Sequence, residues 1–111
     1  MYTGEAVDIT DLEDKAIEAS SLLKIMSNQW RLLILCNLMQ GESSVRELQN
    51  RFGLGQSALS QHLAILRHER LVNTRREAQS IYYSIASPEA EQILGMLHKI
   101  YCTEKMAKML A

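Results

Sequence analysis

Read from the N-terminus, the apolar residues fall at helical spacings for most of the chain. Leu12, Ala16, Ala19, Leu23 and Met26 step by four, three, four and three residues, the period of a coiled-coil seam, and Asp8 or Thr10 stands where such a helix needs a cap. The stretch "NQWRLLILCNLMQGE" predicts a second helix from about 29 to 39. It is apolar nearly all round and so expected to be central, with Gly41 as its C-cap. Ser43 or Ser44 then caps a short third helix, "VRELQNRF", and Glu47, three residues after Ser44, completes a capping box. Phe52-Gly53-Leu54-Gly55 turns the chain into "GQSALSQHLAILR", where Ala58, Leu59, Leu63 and Leu66 line one stripe. Directly afterwards the period changes to two. Val72, Thr74 and Arg76 alternate with their neighbours up to a polar "EAQ" turn, and Ile81, Tyr83 and Ile85 alternate with Ser80, Tyr82 and Ser84. A last helix opens with Ser87 as cap and Pro88 at its first position, and carries a stripe of Ile93, Leu97 and Ile100 with Leu94 and Tyr101 beside it.

This order predicts a mainly α fold: a winged helix-turn-helix with five helices and a two-stranded β-hairpin wing that holds Arg75 and Arg76 near its tip. The first and last helices each need a partner. They can pack on each other within the chain or across a two-fold axis. A length of 111 residues suits one domain over 1–111, with 1–10 as a frayed arm. One proline and five glycines leave long stretches without a breaker, in keeping with helices. No signal segment is visible and the longest apolar run, "LLILC", is too short to span a bilayer, so the expectation is a cytoplasmic protein without membrane contact, its two cysteines held reduced.

Charge and side-chain chemistry change the picture at one place. The net charge is −1, yet residues 1–18 carry a balance of −5 and residues 46–76 a balance of +4, from Arg46, Arg51, Arg67, Arg70, Arg75 and Arg76 against Glu47 and Glu69. A local basic surface on a mildly acidic chain suits an anionic partner, and nucleic acid is the commonest. The second helix of the helix-turn-helix presents Ser57, Ser60, Gln61 and, nearer the edge, His62, and is uncharged on that side until Arg67. Short donors and acceptors of this kind match base edges and phosphates in double-stranded DNA.

The segment "LSQHLAILRHERLVNTRREAQSIYYSI" resembles the core signature of the ArsR family of bacterial winged-helix repressors, and the similarity runs from roughly 18 to 103. The resemblance implies a homodimer built on the first and last helices. It implies that Ser57, Ser60, Gln61 and His62 face DNA, and that Arg75, Arg76 and Gln79 lie on a wing reaching the adjacent minor groove or backbone. A two-fold dimer then requires an inverted-repeat operator. At "SNQW" the chain lacks the His and Pro that the family often carries there, and Trp30 is expected to be packed.

Family members that sense soft metals carry cysteines where this chain has Ser44 and Arg46, so that site is absent. An alternative metal-responsive repressor would have to use Cys36, His98 and Cys102, since His98 and Cys102 lie one turn apart. Taken alone, Cys36 reads as a small core residue. The pair "LCNLM" and "HKIYC", however, is similar to the HlyU, BigR and SqrR branch of the family. That similarity implies a switch in which reactive sulfur or an oxidant links Cys36 and Cys102 and changes operator affinity. Lys99 and His98 within a turn of Cys102 would favour its thiolate. Neither a cofactor nor a resident metal is expected. A cysteine near a histidine also suits a nucleophilic enzyme, but no phosphate loop, concave scaffold or acid partner accompanies it. A pure interaction module would differ from a DNA reader in salt dependence.

Overall fold

The computed structural model describes residues 8–102. Helix α1 spans Ile9–Met26, α2 Gln29–Leu38, α3 Val45–Phe52, α4 Gln56–His68 and α5 Pro88–Tyr101, with strands β1 at Ser43–Ser44, β2 at Val72–Glu77 and β3 at Ser80–Ile85. Five helices and a small antiparallel sheet thus follow the expected order, with one addition. The wing is the outer part of a three-stranded sheet of order β1-β3-β2, because Ser43 and Ser44 pair with Tyr83 and Tyr82. Within the hairpin, Val72 stands opposite Ile85, Thr74 opposite Tyr83 and Glu77 opposite Ser80. Ala78 at its tip takes a left-handed φ of +56°.

Local chemistry explains most element ends. Asp8 caps α1 by accepting from the backbone N–H groups of Thr10 and Asp11, so Ile9 and Thr10 are helical; the arm expected over 1–10 is corrected there, and residues 1–7 lie outside the described residues. Ser44 closes β1 and starts α3 with the full capping box, its Oγ accepting from Glu47 N–H at 3.1 Å while Glu47 accepts from Ser44 N–H at 2.9 Å. Gly53, at φ +64°, ends α3 in the left-handed conformation that glycine adopts without strain. At the end of α4 the same job falls to Arg70, at φ +63°. Leu71 N–H donates to Leu66 O and Arg70 N–H to Arg67 O, a Schellman closure that delivers the chain straight into β2. The expected C-cap at Gly41 is corrected: Met39 caps α2, and Gly41 follows in the loop.

The core gathers Ile34, Leu35 and Leu38 of α2, Leu48 of α3, Leu59, Leu63 and Leu66 of α4, then Leu71, Val72 and Tyr83 of the wing's base, and Ala90 and Leu94 of α5. The leucine stripe of α4 is therefore its inner face, which fixes the orientation of its outer one. Helix α2 is central on one side only, since Leu33, Cys36 and Met39 are exposed. The end helices are less covered still. Leu12 and Leu23 of α1 are each 51% exposed, and Ile100 and Tyr101 of α5 are 55% and 70% exposed. Packing within the chain covers Met26 at the end of the predicted seam and leaves Leu12 and Leu23 open. No described helix is long and apolar enough to cross a membrane.

Candidate nucleic-acid interface

Because Leu59, Leu63 and Leu66 point inward, helix geometry turns Ser57, Ser60 and Gln61 outward, and all three are exposed. No side chain caps the N-terminus of α4, whose N-cap is Gly55. Arg67 in the last turn and Arg46 on α3 are exposed, as are Arg76 and Gln79 on the wing, and among the described residues none of these three arginines forms a salt bridge. Between α3, the start of α4 and the wing runs an open groove whose lining includes Arg46, Gln49, Gln56, Gln79 and Tyr82. The groove also carries Glu42 and Glu47, so the positive charge comes from the exposed arginines around it and not from its lining as a whole; those arginines beside an uncharged hydrogen-bonding helix are the arrangement that nucleic acid needs, charge for phosphates and neutral donors and acceptors for bases.

Two of the expected contact residues are held in ways the sequence did not suggest. Arg75 donates from Nε and Nη2 to the two carboxylate oxygens of Glu42, each at 2.7 Å, and from Nη1 to Glu77 at 2.7 Å, while its guanidinium lies 4.5 Å from the centre of the Tyr82 ring. This fork ties the wing to the loop between α2 and β1. Its hydrogen bonds draw the Glu42 carboxyl below the usual carboxylate range. A depressed carboxylate pKa means the clamp is present above the ordinary value and is lost only as pH falls through the lowered one. Glu42 should accordingly titrate at lower pH in the wild type than in Arg75→Met, followed through its side-chain carboxyl NMR shift; coincident midpoints would show that the clamp does not form in solution.

His62, on the flank of α4, is half-buried, and its Nδ1 lies 3.5 Å from Nη1 of Arg31 on α2. Burial, aided by the Arg31 charge, pushes the His62 pKa down, so the ring is neutral near pH 7. Neither Arg31 nor Glu42 had a sequence signal. Each lies more than thirty residues from its partner, 31 for Arg31 and His62 and 33 for Glu42 and Arg75.

The region from Asn28 to Thr74, which holds the helix-turn-helix, matches the pattern described as "Bacterial regulatory protein, arsR family" over residues 28–74. The transcriptional activator HlyU of Vibrio cholerae is 48% identical over 99 residues, which cover 89% of this chain and 92% of that protein. The chain belongs to the ArsR family. Solved structures of family members agree in fold. Reduced HlyU from Vibrio cholerae superposes with a TM-score of 0.83, covering 86% of this chain and all of that one, and the transcriptional repressor BigR from Xylella fastidiosa with 0.79 at 39% identity, covering 87% and 99%. This ArsR-family chain is a DNA-binding transcriptional regulator and not an enzyme, and it sits in the HlyU- and BigR-like branch.

The two thiols of this ArsR-family protein come from different helices. Cys36 lies on the exposed side of α2 and Cys102 caps the C-terminus of α5 one turn after His98, and both are free and exposed. Partial desolvation of this mostly exposed thiol raises the Cys36 pKa, and negative charge on Cys102 adds to it in the same direction. The metal-responsive alternative is not favoured: among the described residues no three His, Cys, Asp or Glu side chains are grouped to hold an ion, and Cys36, His98 and Cys102 are not brought together as such a group. Trp30 is half-buried at the start of α2, where its backbone N–H is bonded by the cap Asn28.

Proposed function

We propose that this protein is a cytoplasmic homodimer, each chain a single winged-helix domain, that binds an inverted-repeat operator and is released when reactive sulfur or an oxidant links Cys36 to Cys102. The observation that carries the DNA reading is the outer face of α4, where Ser57, Ser60 and Gln61 are exposed and uncharged opposite a buried leucine stripe. In a dimer the two copies of α4 enter successive major grooves. Arg67, Arg76 and Gln79 meet backbone and the neighbouring groove, His62 adds one directed contact, and Arg75 keeps the wing in place through Glu42.

The switch follows from where the sulfurs sit. A thiolate of the pair attacks a sulfane sulfur of inorganic polysulfide, becomes a persulfide and expels the shortened polysulfide. The second thiolate then attacks the protein-bound sulfur of that persulfide, forming the Cys36–Cys102 disulfide and releasing hydrosulfide; two thiols are oxidised and one sulfane sulfur is reduced. Insertion of further sulfane sulfur before closure gives a longer bridge. The link joins α2, which packs on α4, to α5, and so alters the spacing of the two recognition helices. Tenfold release needs a difference of only about 1.4 kcal/mol.

The test is fluorescence anisotropy of the reduced protein with a duplex from upstream of its own gene, before and after polysulfide treatment. Binding is expected to weaken steeply with salt, and to fall at least tenfold on treatment with recovery in reductant. Salt-insensitive binding removes the DNA reading; tight binding that polysulfide leaves unchanged removes the thiol switch alone.

A further inference from the structure

Arg31 is an unusual residue for its place. It sits in the first turn of a helix whose next residues, Leu32 to Leu35, are all apolar, and it is half-buried. Its guanidinium is not free to swing. Nε donates to Ile25 O in the last turn of α1 at 2.7 Å, which leaves Nη1 aimed at the imidazole of His62 on α4, and its backbone N–H is bonded to Asn28 Oδ1 at 3.1 Å. A guanidinium carries donors only, so an imidazole nitrogen facing it has to be the acceptor. A neutral imidazole that accepts at Nδ1 carries its proton on Nε2.

We propose that Arg31 is a positioning residue for DNA recognition: it fixes His62 as the neutral Nε2–H tautomer, so that α4 offers one directed hydrogen-bond donor at its flank instead of an acceptor or a cation. The inference rests on the reading of α4 as the DNA-facing helix and deepens it. Two properties of the site agree with it. Burial and the Arg31 charge both disfavour the imidazolium. Arg31 is also the charged group whose field acts on this ring, while the next histidine along α4, His68, is paired with its own neighbour Glu69 at 3.2 Å. A fixed N–H donor matches an acceptor on DNA, either a base-edge N7 or carbonyl oxygen in the major groove or a phosphate oxygen. Because the His62 pKa is lowered, the donor persists to lower pH than in an unassisted histidine.

The experiment has two parts on the full chain. Long-range proton–nitrogen NMR of the free wild-type protein should show His62 with a pyridine-type Nδ1 and a pyrrole-type Nε2, and Arg31→Met should convert this to mixed tautomers and raise the pH at which His62 titrates. Binding to the upstream duplex should then survive His62→Gln, whose amide nitrogen reaches the Nε2 position. His62→Asn, whose amide reaches only the Nδ1 position, should weaken it roughly threefold to tenfold. An equal loss on all duplex sequences identifies a phosphate acceptor, and a loss confined to one base position identifies a base edge. A wild-type Nδ1–H tautomer, a signature unchanged in Arg31→Met, or His62→Asn binding as tightly as His62→Gln would each overturn the proposal. Wild-type protein that fails to bind the duplex at all would instead overturn the reading on which it rests.

Discussion

Leu23→Glu is expected to turn the proposed dimer into a monomer and to lower affinity for an inverted-repeat duplex by about a hundredfold or more. Leu23 belongs to the α1 seam yet is half exposed, as is Leu12, and the outer half of α5 leaves Ile100 and Tyr101 uncovered. A seam of this kind is stabilised only by a second apolar surface, and across a two-fold axis each substituted side chain appears twice, so two carboxylates would enter the same contact. The fold of the single chain should persist, because the core of leucines from α2, α3 and α4 does not include Leu23. The affinity loss reflects the change from two linked half-site contacts to one, an effect that commonly spans two to four orders of magnitude. Sedimentation equilibrium gives the mass and anisotropy the affinity. A dimer that survives the substitution would place the interface elsewhere on the chain.

The parts of this architecture that are local in sequence were legible in it. The capping box of Ser44 and Glu47, the glycine turn at Gly53, the inner stripe of α4 and the alternation in β2 and β3 each depend on residues within a few positions of one another. What escaped is non-local or atypical. Strand β1 is two residues long and exists only because Tyr82 and Tyr83 return beside it, so no period could reveal it. The ends of α2 and α4 depart from the usual glycine rule, with Met39 closing the first and a left-handed Arg70 the second. The clamp of Glu42 on Arg75 and the contact of Arg31 with His62 join residues that only the fold brings together.

The apolar character of α2 was misleading for a different reason. Hydrophobic periodicity records that a face is to be covered, not what covers it, and Leu33 and Met39 are left exposed by their own chain. The same limit applies to α1 and α5, whose stripes were equally compatible with packing inside the chain and across an axis. The exposure of Leu12, Leu23 and Ile100 weighs for the second.

Cys36→Ser should leave the reduced protein's operator affinity within about twofold of wild type and remove the whole polysulfide response, where wild type loses tenfold or more. Serine preserves the size of a side chain that is exposed on α2, so neither the core nor the α4 face is disturbed. It supplies no thiolate, so a persulfide formed at Cys102 has nothing to resolve it, and α2 and α5 stay unlinked. Cys102→Ser should behave alike, since a link needs both ends. Mass spectrometry of treated wild-type protein should show one chain lighter by two hydrogens for the disulfide, or, for a longer bridge, heavier by the inserted sulfur atoms less the same two hydrogens. In Cys36→Ser the same treatment should leave at most a persulfide that reductant removes. The location of Cys36 makes the coupling physical: Arg31, which touches His62, stands on the same helix, and α2 packs against α4. A displacement of α2 caused by its tie to α5 reaches the recognition helix without any intermediate element. A Cys36→Ser protein that still leaves DNA on treatment would show that Cys102 modification alone is sufficient, and the linked-pair mechanism would be wrong.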